Sequence, residues 1–288
     1  MAQSFAPRNA VGAVALAVLV SANGALAEET APSGPIVLVP HVAVYDLSLK
    51  STRGNSQISA VRGRIVYDFD GSACSGYTLQ FRQLSELDSG EGKTATSDLR
   101  STTWEGGDAQ SFTFSSENFV DDKLVDSVDG KAKRAAGVTA VNLKKPGQKT
   151  FDVSPAAVFP TEHMMRAIMA ARAGKSILNF PVYDGSDTGE KIYDTLTVIG
   201  RKLGANDRPH DDAAAHETKL GAVPRWPVNI SYFERAAKPK TGEETPTYSI
   251  GFELYENGIS RALSLDYNEF VVVGKLSSLD IKEAKPCK

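Results

Sequence analysis

The run HDDAAAH, residues 210–216, sets His210, Asp211, Asp212 and His216 close together, and these are side chains of metal-binding type. Their spacing is neither the His-x-x-x-His of a helical zinc pair nor that of a calcium loop, so a solvated polar loop is expected. YDGSDTGE, residues 183–190, offers Asp184, Ser186 and Asp187, which do not alternate as calcium ligands do, and no bidentate Glu closes the loop. It reads as a hairpin loop with Asx-turn chemistry. For nucleophilic catalysis there are serines but no Gly-x-Ser-x-Gly elbow, and the histidines sit in dissimilar contexts, His163 in a helix first turn and His41 at a strand start. Paired carboxylates are undiagnostic in a chain with 35 Asp and Glu. No metal or cofactor is expected. A non-enzymatic role is the reading, with an envelope-polymer hydrolase, its site assembled from distant residues, as the alternative.

Two cysteines remain, Cys74 in GSACSGYTLQF and Cys287 in AKPCK. Their chemistry depends on compartment. The first residues carry Arg8, an apolar stretch from Ala10 to Val20, and then Ala25-Leu26-Ala27, which suits a signal peptidase. That stretch is too short for a spanning helix, which needs about 20 residues. Residues 1–27 are therefore predicted to be a cleaved signal peptide, 28–40 a flexible leader and 41–288 one folded domain. The protein is expected in the periplasm, not spanning a membrane after cleavage. Charges are mixed, −3 in total over 288 residues, with no polybasic run, so nucleic acid is not an expected partner.

In an exported chain an even cysteine count favours pairing. Neither cysteine sits in a Cys-x-x-Cys motif, so a structural Cys74–Cys287 bridge is expected ahead of a catalytic thiol. Closing so long a loop removes up to about 5 kcal/mol of unfolded-chain entropy. Such a bridge would pin the tail against the opening strands and shut a rolled sheet.

The elements that must position these residues are mostly strands. HVAVYDLSLK alternates at period two, and about fourteen short strands of that kind are expected in all. Asp70-Gly71, Asp129-Gly130, Asp184-Gly185 and Asn257-Gly258 read as hairpin turns. FPTEHMMRAIMAARAG is the one clear helix, with Pro160 in its first turn, a Met164, Met165, Ile168, Ala171 stripe, a Glu162–Arg166 pair and Gly174 as its stop. A second short helix is expected around AAAHETKL in the loop 204–224. Mainly antiparallel β structure follows, a single large sheet curled into a spiral or broken barrel with the helix over an opening or face. Three side chains are candidate binding residues. Trp104 and Trp226 are either anchors or, as favoured, plugs of a barrel end. Arg172 is either a ligand-binding cation or, as favoured, a last-turn residue that complements the helix dipole and extends its head to water.

SDLRSTTWEGGDAQSFTF, AARAGKSILNFPVYDGSDTGEK and RWPVNISYFE, with a cysteine before GYTLQF and another near the C-terminus, resemble the EipB-type cell-envelope integrity proteins. The resemblance runs from about His41 to Cys287. It implies a periplasmic, spiral, broken antiparallel barrel, a disulfide between Cys74 and Cys287, and a role in maintaining the envelope. It also implies linkage to a tetratricopeptide-repeat protein. A curled sheet with a helix at its mouth suits either a partner protein or an apolar ligand such as a lipid or a lipoprotein acyl chain.

Overall fold

Alternating apolar residues can bury one face only if the sheet finds something to cover it, and here the sheet covers itself. The computed structural model describes residues 34–288 except 91, 136, 205–206, 208–209, 236–243, 284–286 and 288. The predicted signal segment lies outside them. Eight strands come first: β1 (His41–Thr52), β2 (Ala60–Ser72), β3 (Gly76–Asp88), β4 (Thr94–Glu105), β5 (Ser111–Val120), β6 (Lys123–Ala135), β7 (Val138–Lys145) and β8 (Lys149–Val153). A helix, α1 (Pro160–Arg172), follows. Six strands return: β9 (Ile177–Val182), β10 (Tyr193–Ile199), β11 (Arg225–Glu234), β12 (Tyr248–Tyr255), β13 (Ser260–Asp266) and β14 (Phe270–Ile281).

All fourteen strands form one sheet in the order β8 to β1, then β14 back to β9. Two antiparallel meanders are thus joined by one non-sequential pairing, β1 with β14. The inward row of β1 is Ala43, Tyr45 and Leu47, and that of β2 is Val61, Ile65 and Phe69. Full burial of each large apolar side chain is worth about 1.5–3 kcal/mol.

β8 and β9 are the sheet's two ends, and they do not pair with each other. The segment after β8 bridges them instead. Val158 pairs in parallel with Val182, its N–H donating to the Pro181 carbonyl at 2.8 Å and its own carbonyl accepting from Tyr183 at 3.0 Å. The chain then turns into α1, which packs against β9 and β10 and against Leu38, Phe69, Tyr77 and Trp226. Residues 34–40, placed in the leader by the sequence, run along this core, with Leu38 buried. α1 starts with Pro160 at its first position and ends on Gly174 at φ 67°. Lys175 N–H reaches the Ala170 carbonyl and Gly174 N–H that of Ala171, a Schellman ending. Because the helix lies inside, its buried surface is wider than the predicted stripe and includes Glu162, His163, Ala167 and Ala170.

Several local expectations are corrected. Asn257-Gly258 does form the β12–β13 turn, but Asp70-Gly71 lies within β2 and Asp129-Gly130 within β6. Gly130 is needed for packing, since a Cβ there would meet the Phe114 ring at 2.6 Å. The β5–β6 turn is made by Asp121 and Asp122, both at positive φ. In place of a second helix, the loop 204–224 carries two short 3-10 turns, Ala213–Ala215 and Thr218–Leu220.

That loop is also less solvated than its composition suggests. Asp212 is buried, taking Arg261 Nε at 2.9 Å and Nη2 at 2.5 Å on its two oxygens. His210 meets Glu253 at 3.0 Å, and Glu253 also holds Arg225 at 2.9 Å. Ala214 and Leu220 join the core of β1, β2, β13 and β14. Asp211 and His216 stay exposed. Removing one member of a buried ion pair leaves its partner uncompensated. Arg261→Ala is accordingly expected to cost about 3–5 kcal/mol in urea unfolding, and a loss below about 1 kcal/mol would contradict the burial of this pair.

Cys74 and Cys287 are joined, with Cα atoms 5.6 Å apart. Cys74 sits in the β2–β3 turn and Cys287 follows β14, so the bridge spans the neighbouring ends of β14, β1, β2 and β3. It does not join β8 to β9, and so does not shut the sheet as anticipated. It fastens the two meanders where β1 and β14 already meet. Reduction, or Cys74→Ser with Cys287→Ser, is expected to remove about 2–4 kcal/mol and lower Tm by about 5 °C or more. Unchanged melting after reduction would contradict that role.

Candidate functional site

A single carboxylate in the sheet wall receives the first turn of α1. Phe159 occupies the N-cap position but offers no side-chain acceptor, so the first amides of the helix need another partner. Glu105, the last residue of β4, supplies it. Its Oε2 accepts from Thr161 N–H at 2.7 Å and its Oε1 from Glu162 N–H at 2.8 Å. Glu105 is 1% exposed. Burial outweighs these two amide bonds and pushes its carboxyl up to about 7.

Glu162 is held in turn by Arg134 Nη2 at 2.7 Å and Arg166 Nη2 at 2.6 Å. Arg134 also donates to the carbonyls of Ala109 and Ala157 and lies 4.3 Å over the Phe159 ring. His163, one residue on, meets Thr197 Oγ1 at 3.1 Å, and burial presses its imidazole down to about 4.

Beyond the helix the interior is not filled to the same degree. Tyr67, Leu79 and Phe81 on β2 and β3, and Tyr232, Tyr248 and Phe252 on β11 and β12, share the inward parity of buried neighbours yet are only half-buried. Tyr67 pairs with Phe81 across β2 and β3, and Tyr232 with Tyr248 across β11 and β12. The last two rings stack at 4.5 Å, and Tyr193 stands edge-on to both at 6.1 Å. Burial holds the phenols of Tyr67, Tyr232 and Tyr248 above their ordinary range. These groups are deep, but solvent still reaches them.

Two buried acceptors near this lining lack a protein partner. His41 stacks on Tyr67 at 5.7 Å and directs Nδ1 to the Val39 carbonyl, leaving Nε2 unpaired. Asn118 Oδ1, on the inward side of β5, is also unpaired. Gln83, Ser101 and Thr103 make the neighbouring inward wall polar. The interior therefore joins an aromatic face to a hydroxyl and amide face.

Residues 32–283 match the family model described as EipB-like. The chain belongs to the EipB-like family. It is 39% identical over 244 residues to the cell envelope integrity protein EipB of Brucella abortus (strain 2308), an alignment covering 85% of this chain and 84% of that protein. It also superposes on the crystal structure of a β-barrel-like protein with a domain of unknown function from Brucella abortus, with TM-score 0.78 and 38% identity. That match covers 86% of this chain and all of the other. The expected family and curled β architecture hold.

Within this EipB-like sheet the three candidate side chains separate. Trp226 is 4% exposed and packs into the core beside α1. Arg172 does lie in the last helical turn, but its head is not in water. It pairs with Glu256 at 2.5 Å and donates to the Gly34 carbonyl, tying the helix end to the β12–β13 turn and to the start of the described chain. Trp104 is on the outward face and 38% exposed. Trp226 belongs to the buried cluster against which Tyr67, Leu79, Tyr232 and Phe252 pack, whereas Trp104 faces outward. Among the described residues no three His, Cys, Asp or Glu side chains are placed to hold a metal ion. The residues the sequence did not single out are Glu105, hidden beside Trp104, and the inward tyrosines.

The Glu105 cap sets a pH dependence. A carboxyl raised on folding contributes stability that is fully present below its unfolded value and is lost as pH rises through the folded one. Glu105→Gln retains an acceptor and cannot ionise. Between pH 4.5 and about 7 wild type is expected to lose up to about 3 kcal/mol relative to Glu105→Gln. Urea unfolding of both proteins across that window checks it, and a pH-independent difference would contradict it.

Proposed function

We propose that this protein is a non-enzymatic periplasmic component that maintains cell-envelope integrity by holding an apolar or amphiphilic envelope ligand, a lipid or a lipoprotein acyl chain, inside its curled sheet. The name of the Brucella abortus relative supports the envelope role. The observation that carries the ligand is the half-buried inward row, above all Tyr67, Phe81, Tyr232 and Phe252. Apolar side chains of a finished core are fully covered, whereas an apolar lining still open to solvent is what an apolar ligand would cover. The unpaired Nε2 of His41 adds a polar anchor at one end of that lining. The buried carboxylates support a binding role over hydrolysis, because Glu105 is engaged in capping α1 and Glu162 in two ion pairs.

Native mass spectrometry of protein isolated without detergent tests the proposal and is expected to show a bound lipid mass. N-phenyl-1-naphthylamine should brighten on binding the delipidated protein. Phe252→Trp, which adds volume to the lining, should weaken that uptake several-fold without lowering Tm by more than a few degrees. The absence of both a co-purifying species and probe uptake would overturn it.

A further inference from the structure

The outward face of β2 to β5 carries a groove of about 500 Å³. Strand register arranges its side chains in rows. Arg82 lies opposite Arg100 and Arg100 opposite Glu117, and in the next row Gln80 lies opposite Thr102 and Thr102 opposite Ser115. Both guanidiniums converge on Asp98. Arg82 donates from Nε and Nη2 at 2.9 Å each, and Arg100 from Nε at 3.1 Å and Nη2 at 2.7 Å. These two cations, Arg82 first, hold the Asp98 carboxyl down at about 2, so the cluster keeps its charges at any physiological pH.

Within the cluster one buried anion is shared by two cations. Each guanidinium uses the same edge for Asp98, and among the described residues its Nη1 group has no protein partner. Both arginine side chains are 51% exposed, although Asp98 beneath them is buried. Arg100 is fixed further by lying 4.8 Å over the Phe119 ring. Two further carboxylates line the groove: Asp68, paired with Lys282 at 2.6 Å, and Glu117, the cross-strand neighbour of Arg100.

Trp104 stands on the same face, two residues past Thr102 and about 13 Å along β4 from Arg100. Its Nε1–H donates to the Ser75 carbonyl at 3.3 Å. One side of the indole rests on Gly76, where a Cβ would come within 2.7 Å of the ring. The hairpin that holds the ring is the one clamped by Cys74–Cys287. The result is an immobilised aromatic surface, partly bare, in line with a strip of amide, hydroxyl and guanidinium groups.

We infer that this face binds a linear glycan carrying carboxylate groups, with Trp104 stacking on a sugar ring and the Nη1 groups of Arg82 and Arg100 holding a carboxylate. Stacking suits an aromatic plane whose only polar atom is already engaged. Paired, pre-set guanidinium donors suit a carboxylate. A peptide is less well served. β3 and β4 are central strands whose backbone groups are paired on both sides, so no edge is free for strand addition. Most residues lining the groove are polar or charged, with Val66 and Phe81 the apolar ones.

Calorimetry with the disulfide-bonded protein tests this, using peptide-free peptidoglycan glycan strands and oligogalacturonate as probes. Neutral cello-oligosaccharides and hexaglutamate serve as controls. Both acidic glycans are expected to bind, more weakly as salt is raised, and to quench tryptophan fluorescence. Trp104→Ala and Arg82→Gln with Arg100→Gln are each expected to weaken binding tenfold or more, with uptake of N-phenyl-1-naphthylamine unchanged. No binding of either acidic glycan at millimolar concentration would overturn the inference. So would equal affinity in Trp104→Ala, or tighter binding of hexaglutamate, which would assign the face to acidic peptides. The groove lies outside the sheet, so these outcomes are independent of whether the interior holds a lipid.

Discussion

A helix whose first turn points into the wall of a sheet must have its unpaired amides satisfied by that wall. The contact of Glu105 with the amides of Thr161 and Glu162 is the one on which the rest of this fold turns. With those amides capped from β4, the Glu162 side chain is left to face Arg134 and Arg166. Arg134 in turn fixes the carbonyls of Ala109 and Ala157. Holding Ala157 places Val158 against Val182, and that bridge brings the two ends of the sheet together. A buried acid at a strand terminus thus anchors the helix that follows this bridge.

Closure and covalent tethering are therefore separate devices. The seam between β8 and β9 is managed by non-covalent means, through Val158 and α1, while the disulfide reinforces the β14–β1 junction on the opposite side of the strand order. α1 fills only part of the enclosed space. Where it is absent, aromatic residues on β2, β3, β11 and β12 remain recessed but wet. An inner lining that is open and an outer face that is polar and rigid give one sheet two chemically different surfaces.

Much of the strand content was legible because alternation is a local signal, as in β1 with Ala43, Tyr45 and Leu47. β4 was not, because TATSDLRSTTWE is polar on both faces. It is a strand because β3 and β5 hydrogen-bond it from either side. Asp129-Gly130 misled for a related reason, since that glycine answers to the Phe114 ring and not to a turn. Glu105 carried no local mark of its role, because the amides it caps lie far along the chain. The acidic and histidine-rich loop hid buried ion pairs because Arg225 and Arg261, which neutralise it, belong to strands read only for their apolar pattern. Family likeness conveyed the curl of the sheet, but not which inward residues are left uncovered.

The first strand in the chain lies in the middle of the sheet. Along the chain β2 follows β1 at once, whereas its other neighbour, β14, is the last of the described strands. Until then one side of β1 presents an unpaired row of amide and carbonyl groups, an edge that recruits other chains. Such long-range pairing is slow to form. Productive folding thus depends on keeping an internal edge solitary until β14 arrives. A chain shortened at its C-terminus would carry a permanently adhesive centre, not merely a frayed tail.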